Sequence, residues 1–138
     1  MENCIFCKIV KGEIPSYKVY EDESILAFLD IAPINPGHVL VIPKEHYQNI
    51  EEITEESLCS AIAVVKKIGL KIKEGIGAAG YNVVVNNDPI AGQLIPHLHF
   101  HIIPRKEGDG LKPWPQSKLD DSDAKEILNK LKLWTIKQ

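Results

Sequence analysis

His97-Leu98-His99-Phe100-His101-Ile102-Ile103-Pro104 alternates an imidazole with an apolar side chain for three full cycles. Successive strand residues point to opposite faces. The spacing therefore predicts a strand over 97–103, with His97, His99 and His101 on one face and Leu98, Phe100 and Ile102 on the other. The apolar set can pack on a core, which leaves an imidazole row with about 6–7 Å between alternate members. Imidazole titrates near neutrality and serves as nucleophile, proton carrier or metal ligand. A single histidine on a strand is ordinarily a solvated polar residue. Three in strict alternation, out of five in the chain, leave two sharper readings: a metal site, or covalent catalysis on an anionic substrate.

The rest of the chain supplies the elements around that strand. Residues 5–10 form a short apolar-periodic segment that predicts one or two turns of helix. Segments 18–21 and 25–29 read as strands around a turn at Asp22-Glu23, and 38–43 as a β-branched strand stopped by Pro43. Pro33, Pro36 and Gly37 make 31–37 a loop. Thr54-Glu55-Glu56 is a helix start, a capping hydroxyl followed by acids in the first turn. Behind it Leu58, Ile62, Val65, Gly69, Ile72 and Ile76 step at three and four residues as the buried face of a long helix, which glycines 75, 77 and 80 end. Segment 82–86 is a further strand. Gly108 to Ser117 is a Gly/Pro-rich loop, and Ile127, Leu128, Leu131 and Trp134 predict a terminal amphipathic helix. The expected class is α+β: a five-stranded, largely antiparallel sheet with one long helix, a short N-terminal helix and a C-terminal helix. Gly75-Ile76-Gly77-Ala78-Ala79-Gly80 matches a dinucleotide-binding pattern in letters only. A helix enters it and a strand leaves it, and Phe100 stands where the partner acid belongs, so it reads as a helix stop.

With 138 residues the chain has room for one domain. Sixteen Lys plus Arg against nineteen Asp plus Glu give a net charge of −3, which argues against a nucleic-acid binder working through a broad basic patch. No apolar run approaches the ~18 residues that suggest a membrane span, and the first residues lack a signal-peptide pattern, so no membrane association and a cytoplasmic location are expected. Three cysteines are an odd count for a disulfide framework. Cys4-x-x-Cys7 leaves metal binding, redox chemistry or two buried thiols. Cys59, within the long helix, reads as packing.

Taken with its surroundings, the histidine row resembles the signature of the histidine triad (HIT) superfamily of nucleotide hydrolases and transferases. Asn86, Gly92-Gln93, Ile5-Phe6 with Lys8-Ile9, Phe28-Leu29-Asp30-Ile31 and Pro36-Gly37-His38 match that family's pattern, and the Hint branch with its prokaryotic relatives is most similar. The resemblance implies a HIT domain over 1–108, with 109–138 a C-terminal loop and helix extension of the same domain. It implies a nucleotide-binding hydrolase acting at the α-phosphate of a purine nucleotide: a nucleoside phosphoramidase or nucleotidyl hydrolase working through a covalent nucleotidyl-histidine intermediate. A dinucleoside polyphosphate hydrolase and a nucleotide-binding regulatory zinc protein with weak catalysis are the alternatives.

On that resemblance His99 is the nucleophile, oriented by the backbone carbonyl of His97, while His101 and Gln93 contact phosphate oxygens and His38 joins the histidine cluster. Asp30 binds the ribose hydroxyls, and Ile5, Phe6, Phe28 and Ile31 form the base slot. Asn86 contacts the ribose-phosphate side, with Gly92 in the approach to the triad. Prokaryotic members that begin with a similar Cys-x-x-Cys carry structural Zn2+, which implies the ligands Cys4, Cys7, His46 and His97. The branch forms homodimers, and Lys112-Pro113-Trp114-Pro115 is similar to its loop that reaches the partner's pocket. Leu94 departs from the pattern, standing where Ser or Thr usually follows Gly-Gln.

Overall fold

The two most apolar strings, 25–29 and 39–43, become adjacent central strands whose two faces are both covered, which is why neither alternates with polar residues. The computed structural model describes residues 3–132. Within them β1 (Lys18–Glu21), β2 (Ile25–Leu29), β3 (Val39–Pro43), β4 (Gly80–Val85) and β5 (Phe100–Arg105) form one sheet in the order β1-β2-β3-β5-β4. Every neighbouring pair is antiparallel. The class and strand count match the expectation.

Two apolar layers sandwich this sheet. On one face α2 (Glu55–Lys71) packs Ala61, Val64, Val65 and Ile68 onto Ile25, Ala27, Val39, Val41, Leu98, Phe100 and Ile102. On the other face α1 (Ile5–Val10) packs Cys4, Phe6, Cys7 and Ile9 onto Leu26, Phe28, Leu40 and Ile42. Alternate residues of β2 and β3 feed the two layers in turn.

Thr54 caps α2 as expected, its hydroxyl accepting from Ser57 N–H at 3.1 Å. The buried stripe is rotated from the expected one: Ala61, Val64 and Ile68 are buried, whereas Ile62 and Ile76 are 45% and 57% exposed. The two stripes share Val65, Gly69 and Ile72. At Gly69 an added Cβ would meet the Tyr81 ring of β4 at 2.4 Å. Cys59 is exposed rather than packed. The helix widens into a π turn over Ile72–Ile76 before Gly77, at φ 79°, ends it; the glycine pattern is a helix stop.

The histidine stretch differs from the expected strand in its start. Regular pairing begins at Phe100, opposite Val41 and Val85, so His97, Leu98 and His99 precede the ladder. Pro96 has no amide to offer, Leu98 N–H donates to Tyr47 O, and the Pro43 carbonyl is occupied by the His97 ring. The alternation of faces survives. At the other end, α3 (Asp121–Lys130) is capped by Asp120 and buries none of its residues. Ile127, Leu128 and Leu131 are 45%, 61% and 70% exposed, and Trp134 lies outside the described residues. No helix among the described residues is long and apolar enough to cross a membrane.

Candidate active site and metal centre

α1 leans over the sheet through Phe6, whose ring meets Phe28 edge-on at 5.6 Å, His99 at 5.1 Å and His97 at 5.8 Å. Between α1, the end of β2, the loop before β5 and the histidine row lies a cleft of about 320 Å³. Nine expected residues line it: Ile5, Phe6, Phe28, Asp30, Ile31, Asn86, Gly92, His99 and His101.

The hydrogen bonds assign a proton to each ring. His99 Nδ1 lies 2.7 Å from the His97 carbonyl, which can only accept, so neutral His99 carries its proton on Nδ1 and keeps a lone pair on Nε2. His38 Nδ1 accepts from Ile34 N–H at 3.1 Å, which places the His38 proton on Nε2. That proton is donated to His101 Nδ1 at 3.0 Å, which leaves His101 an Nε2–H to offer outward. The row thus presents one acceptor nitrogen and one donor. Asp30 is held by Ala32 N–H on Oδ1, and its Oδ2 lies 3.6 Å from His38 Nε2.

Burial keeps these rings neutral. Desolvation pushes His38 and His99 below the ordinary imidazole range, opposed by Asp30 and, at His99, by the His97 carbonyl. His101 is pushed down to about 4, first by burial and then by the proximity of His99 and His38. In an NMR titration His101 is expected to stay neutral at pH 5 and gain its proton near 4; a midpoint at 6.5 would contradict the relay. Because an unfolded chain takes that proton near 6.5, this depressed value withdraws stability as pH falls from 6.5 towards 4.

Behind the row, Cys4, Cys7, His46 and His97 bring one ligand atom each to within 4.8 Å of one another. Cys4 Sγ lies 3.4 Å from His97 Nδ1, and Cys7 Sγ lies 3.3 Å from His46 Nδ1 and 3.6 Å from His97 Nδ1. Tetrahedral zinc with ordinary Zn–S and Zn–N bonds requires S···N edges of about 3.5–3.6 Å, so this donor set fits the ion. Cys4 also caps α1, accepting from Cys7 N–H at 3.4 Å, and burial raises the Cys7 thiol pKa. His97 Nε2 donates to the Pro43 carbonyl at 2.8 Å, which aims the Nδ1 lone pair at the thiols. Burial holds His97 at about 4. Asp30, His38 and His101 form a second close group. There the His38 Nε2 proton already bridges to His101, so the arrangement is a hydrogen-bond relay rather than a ligand set.

Two of the expected site residues, Gln93 and His38, do not line the cleft, although His38 joins the histidine cluster as expected. Gln93 is buried and its amide is consumed within the loop, accepting from Asp88 N–H and donating to the Gln48 and Ile95 carbonyls. Its side chain is therefore absent from the cleft wall. His38 is buried behind His101 and supports the row from outside the cleft. Ile9, Ile14, Pro15, Ser16, Leu40, Leu94 and Ile95 also line the cleft. Only the helical period of Ile5 and Ile9 could have signalled the first of these; Pro15 and Ser16 are brought in where the chain comes alongside the end of β2, Tyr17 O accepting from Leu29 N–H.

The description "HIT domain" belongs to a family model that matches residues 11–108. The chain belongs to the HIT family. Among its relatives, the adenosine 5'-monophosphoramidase hnt1 of Schizosaccharomyces pombe is 46% identical over 136 residues, covering 94% of this chain and 99% of that protein. The crystal structure of a HIT family member from Bacillus subtilis superposes with a TM-score of 0.86 at 44% identity, covering 94% of each chain. A zinc-bound histidine triad family protein from Mycobacterium smegmatis superposes at 0.77 with 35% identity, over 94% of this chain and 92% of that one. The HIT match ends one residue short of Asp109. That carboxylate accepts from Arg105 and from Asn35 in the loop between Asp30 and His38, an anchor that sequence reasoning missed.

Proposed function

We propose that this HIT protein is a nucleotide hydrolase, a nucleoside phosphoramidase acting on a purine nucleotide at its α-phosphorus. The observation that carries the reading is the 2.7 Å bond from His99 Nδ1–H to the His97 carbonyl, which leaves an uncharged Nε2 lone pair on a ring that lines the cleft. The relative named adenosine 5'-monophosphoramidase supports the substrate class.

The Nε2 lone pair of His99 attacks phosphorus, and the bond from phosphorus to the leaving nitrogen breaks. That nitrogen keeps the electron pair and takes a proton from water. Water then attacks the phosphoryl-imidazolium, giving its proton to the hydroxide left by the first step; the P–N bond to His99 breaks, and Nε2 recovers its lone pair as the nucleoside monophosphate leaves. His101 Nε2–H donates to a non-bridging oxygen where charge accumulates. Asp30 Oδ2 accepts from the ribose hydroxyls, and Ile5, Phe6, Phe28 and Ile31 enclose the base. Asn86 and Gly92 flank the ribose-phosphate. Gln93 acts by shaping the loop.

Structural Zn2+ would be held by Cys4, Cys7, His46 and His97, where it would supply a cross-link between the N-terminal segment, the turn after β3 and the approach to β5. A homodimer is supported by the free edge of β4, where Val83 is 45% exposed beside an α2 that exposes Ile62 and Leu70. The C-terminal segment 109–138, with Trp114 84% exposed, reads as an extension of the domain 1–108. The absence of a membrane-spanning helix among the described residues suits a cytoplasmic location.

The test is incubation with adenosine 5'-phosphoramidate followed by acid-free rapid quench and mass spectrometry. The expected result is release of nucleoside monophosphate and a transient nucleotidyl adduct on the peptide containing His99. Absence of both product and adduct overturns the reading.

A further inference from the structure

The loop from Ile31 to Gly37 carries the Ile34 amide that fixes the His38 tautomer, yet it has no apolar anchor. Ile31 and Ile34 are 87% and 51% exposed, and Asn35 is the only side chain of the loop that is even half-buried. Asn35 is tied at both amide hydrogens. Its Nδ2 donates to the Pro104 carbonyl of β5 at 2.8 Å and to Asp109 Oδ2 at 3.2 Å, and because both partners only accept, the amide has one orientation. Its backbone carbonyl accepts from His38 N–H at 3.1 Å. Asp109 is held in turn, with its side chain 5% exposed. It accepts from Arg105 Nε at 2.7 Å and Nη2 at 3.2 Å, and from the Lys106 and Leu111 N–H groups at 3.3 and 3.1 Å. Neither Asn35 nor Asp109 lines the cleft.

What this clamp controls is the place of a proton. With Ile34 N–H on its Nδ1 at 3.1 Å, neutral His38 carries its proton on Nε2 and donates it to His101 Nδ1 at 3.0 Å. Were the Ile34 amide to drift away, His38 could carry its proton on Nδ1 instead. Its Nε2 would then accept from His101 Nδ1–H, and His101 Nε2 would offer a lone pair where it now offers an N–H. A lone pair there repels the phosphate oxygen that the N–H would bind. Asp30 Oδ2, 3.6 Å from His38 Nε2, favours the present form but lies beyond hydrogen-bond length. The Asp30 backbone is anchored separately. Its N–H donates to His38 O at 2.9 Å, directly after Leu29 pairs with Val39 in the β2–β3 ladder.

We infer that Asp109 and Asn35 are positioning residues, which hold the Ile34 amide on His38 and thereby keep His101 a hydrogen-bond donor to the phosphate. The inference rests on the nucleotidyl-hydrolase reading and names what sets the proton arrangement of its site. Because the ladder holds Asp30 independently, loosening the clamp slows turnover and leaves the ribose contact in place.

The experiment reads imidazole tautomers by nitrogen-15 NMR of the full chain at pH 7, with turnover of adenosine 5'-phosphoramidate and the Kd for adenosine, which lacks the phosphate. Wild-type spectra are expected to show the His38 and His101 protons on Nε2. Asn35→Ala, which removes both donated bonds, is expected to lower kcat about tenfold and to bring both rings partly to the Nδ1–H form, with the adenosine Kd changed less than about twofold. Asp109→Ala leaves Asn35 its bond to the Pro104 carbonyl, so a fall of about threefold with the same spectral change is expected. The double variant is expected to match Asn35→Ala alone, since the two residues act through one contact. Asn82→Ala is the control: it removes the 2.8 Å bond from Arg105 Nη1 and spares the clamp, so its kcat and tautomers are expected to match wild type. A wild-type His38 proton on Nδ1, an unchanged kcat in Asn35→Ala and Asp109→Ala, or a fall in kcat without a tautomer change overturns the inference. So does an Asn82→Ala effect equal to that of Asp109→Ala. Failure of the wild type to hydrolyse the phosphoramidate overturns the hydrolase reading, and the tautomer spectra then decide the clamp by themselves.

Discussion

Replacing His99 by glycine is expected to lower kcat on a nucleoside phosphoramidate by about ten-thousandfold or more, while the Kd for the nucleoside monophosphate changes by less than about threefold. The asymmetry follows from what His99 contributes. On the proposed mechanism its Nε2 lone pair forms the bond that divides one difficult displacement into two easier ones. On the proposed reading the base and ribose contact Ile5, Phe6, Phe28, Ile31 and Asp30, of which Phe6 also packs edge-on against the imidazole. Steady-state kinetics and calorimetric titration on the same preparation check both halves, with circular dichroism excluding collapse of the space beside Phe6. Turnover within tenfold of wild type would show that water attacks phosphorus directly.

The second large effect concerns the metal. Elemental analysis of wild-type protein is expected to give about one zinc per chain, and the double variant Cys4→Ser, Cys7→Ser about none. The variant is expected to melt about 10 °C lower, since losing about 3 kcal/mol in a chain of this size shifts Tm by that order. The cluster joins α1, the turn after β3 carrying His46, and the approach to β5 carrying His97. In the structure these four buried or half-buried ligand atoms are held by sulfur–imidazole contacts of 3.3–3.6 Å and by the Cys7 N–H on Cys4 Sγ. A wild-type protein that purifies folded, metal-free and with two titratable thiols at Cys4 and Cys7 would remove the zinc claim.

The sheet and most of the cleft were legible because they follow from period and residue type. Alternation placed Leu98, Phe100 and Ile102 in one layer and the imidazoles on the other face, and the unbroken apolar runs of β2 and β3 mark strands covered twice. Cys-x-x-Cys was legible as a candidate metal pair, but bringing His46 beside it depends on the turn after β3, which no local pattern encodes. The rotation of α2 was hidden because two apolar stripes overlap in its sequence, sharing Val65, Gly69 and Ile72. The place of the Gln93 side chain was hidden for a related reason. A side-chain amide satisfies backbone groups as readily as phosphate oxygens, and the unusual backbone at Asp88 claimed it first.

His97 serves two neighbours through different parts of the same residue. Its ring faces the thiols, and its main-chain oxygen holds the His99 proton. That oxygen is present whatever side chain occupies position 97. The two devices are therefore separable: substitution at 97, 46, 7 or 4 would remove a proposed zinc ligand and still leave an acceptor for the His99 proton. Conversely, only a backbone shift, which no single codon specifies, removes the acceptor. A chain stripped of the proposed zinc ligands would keep the atom that sets the tautomer of His99.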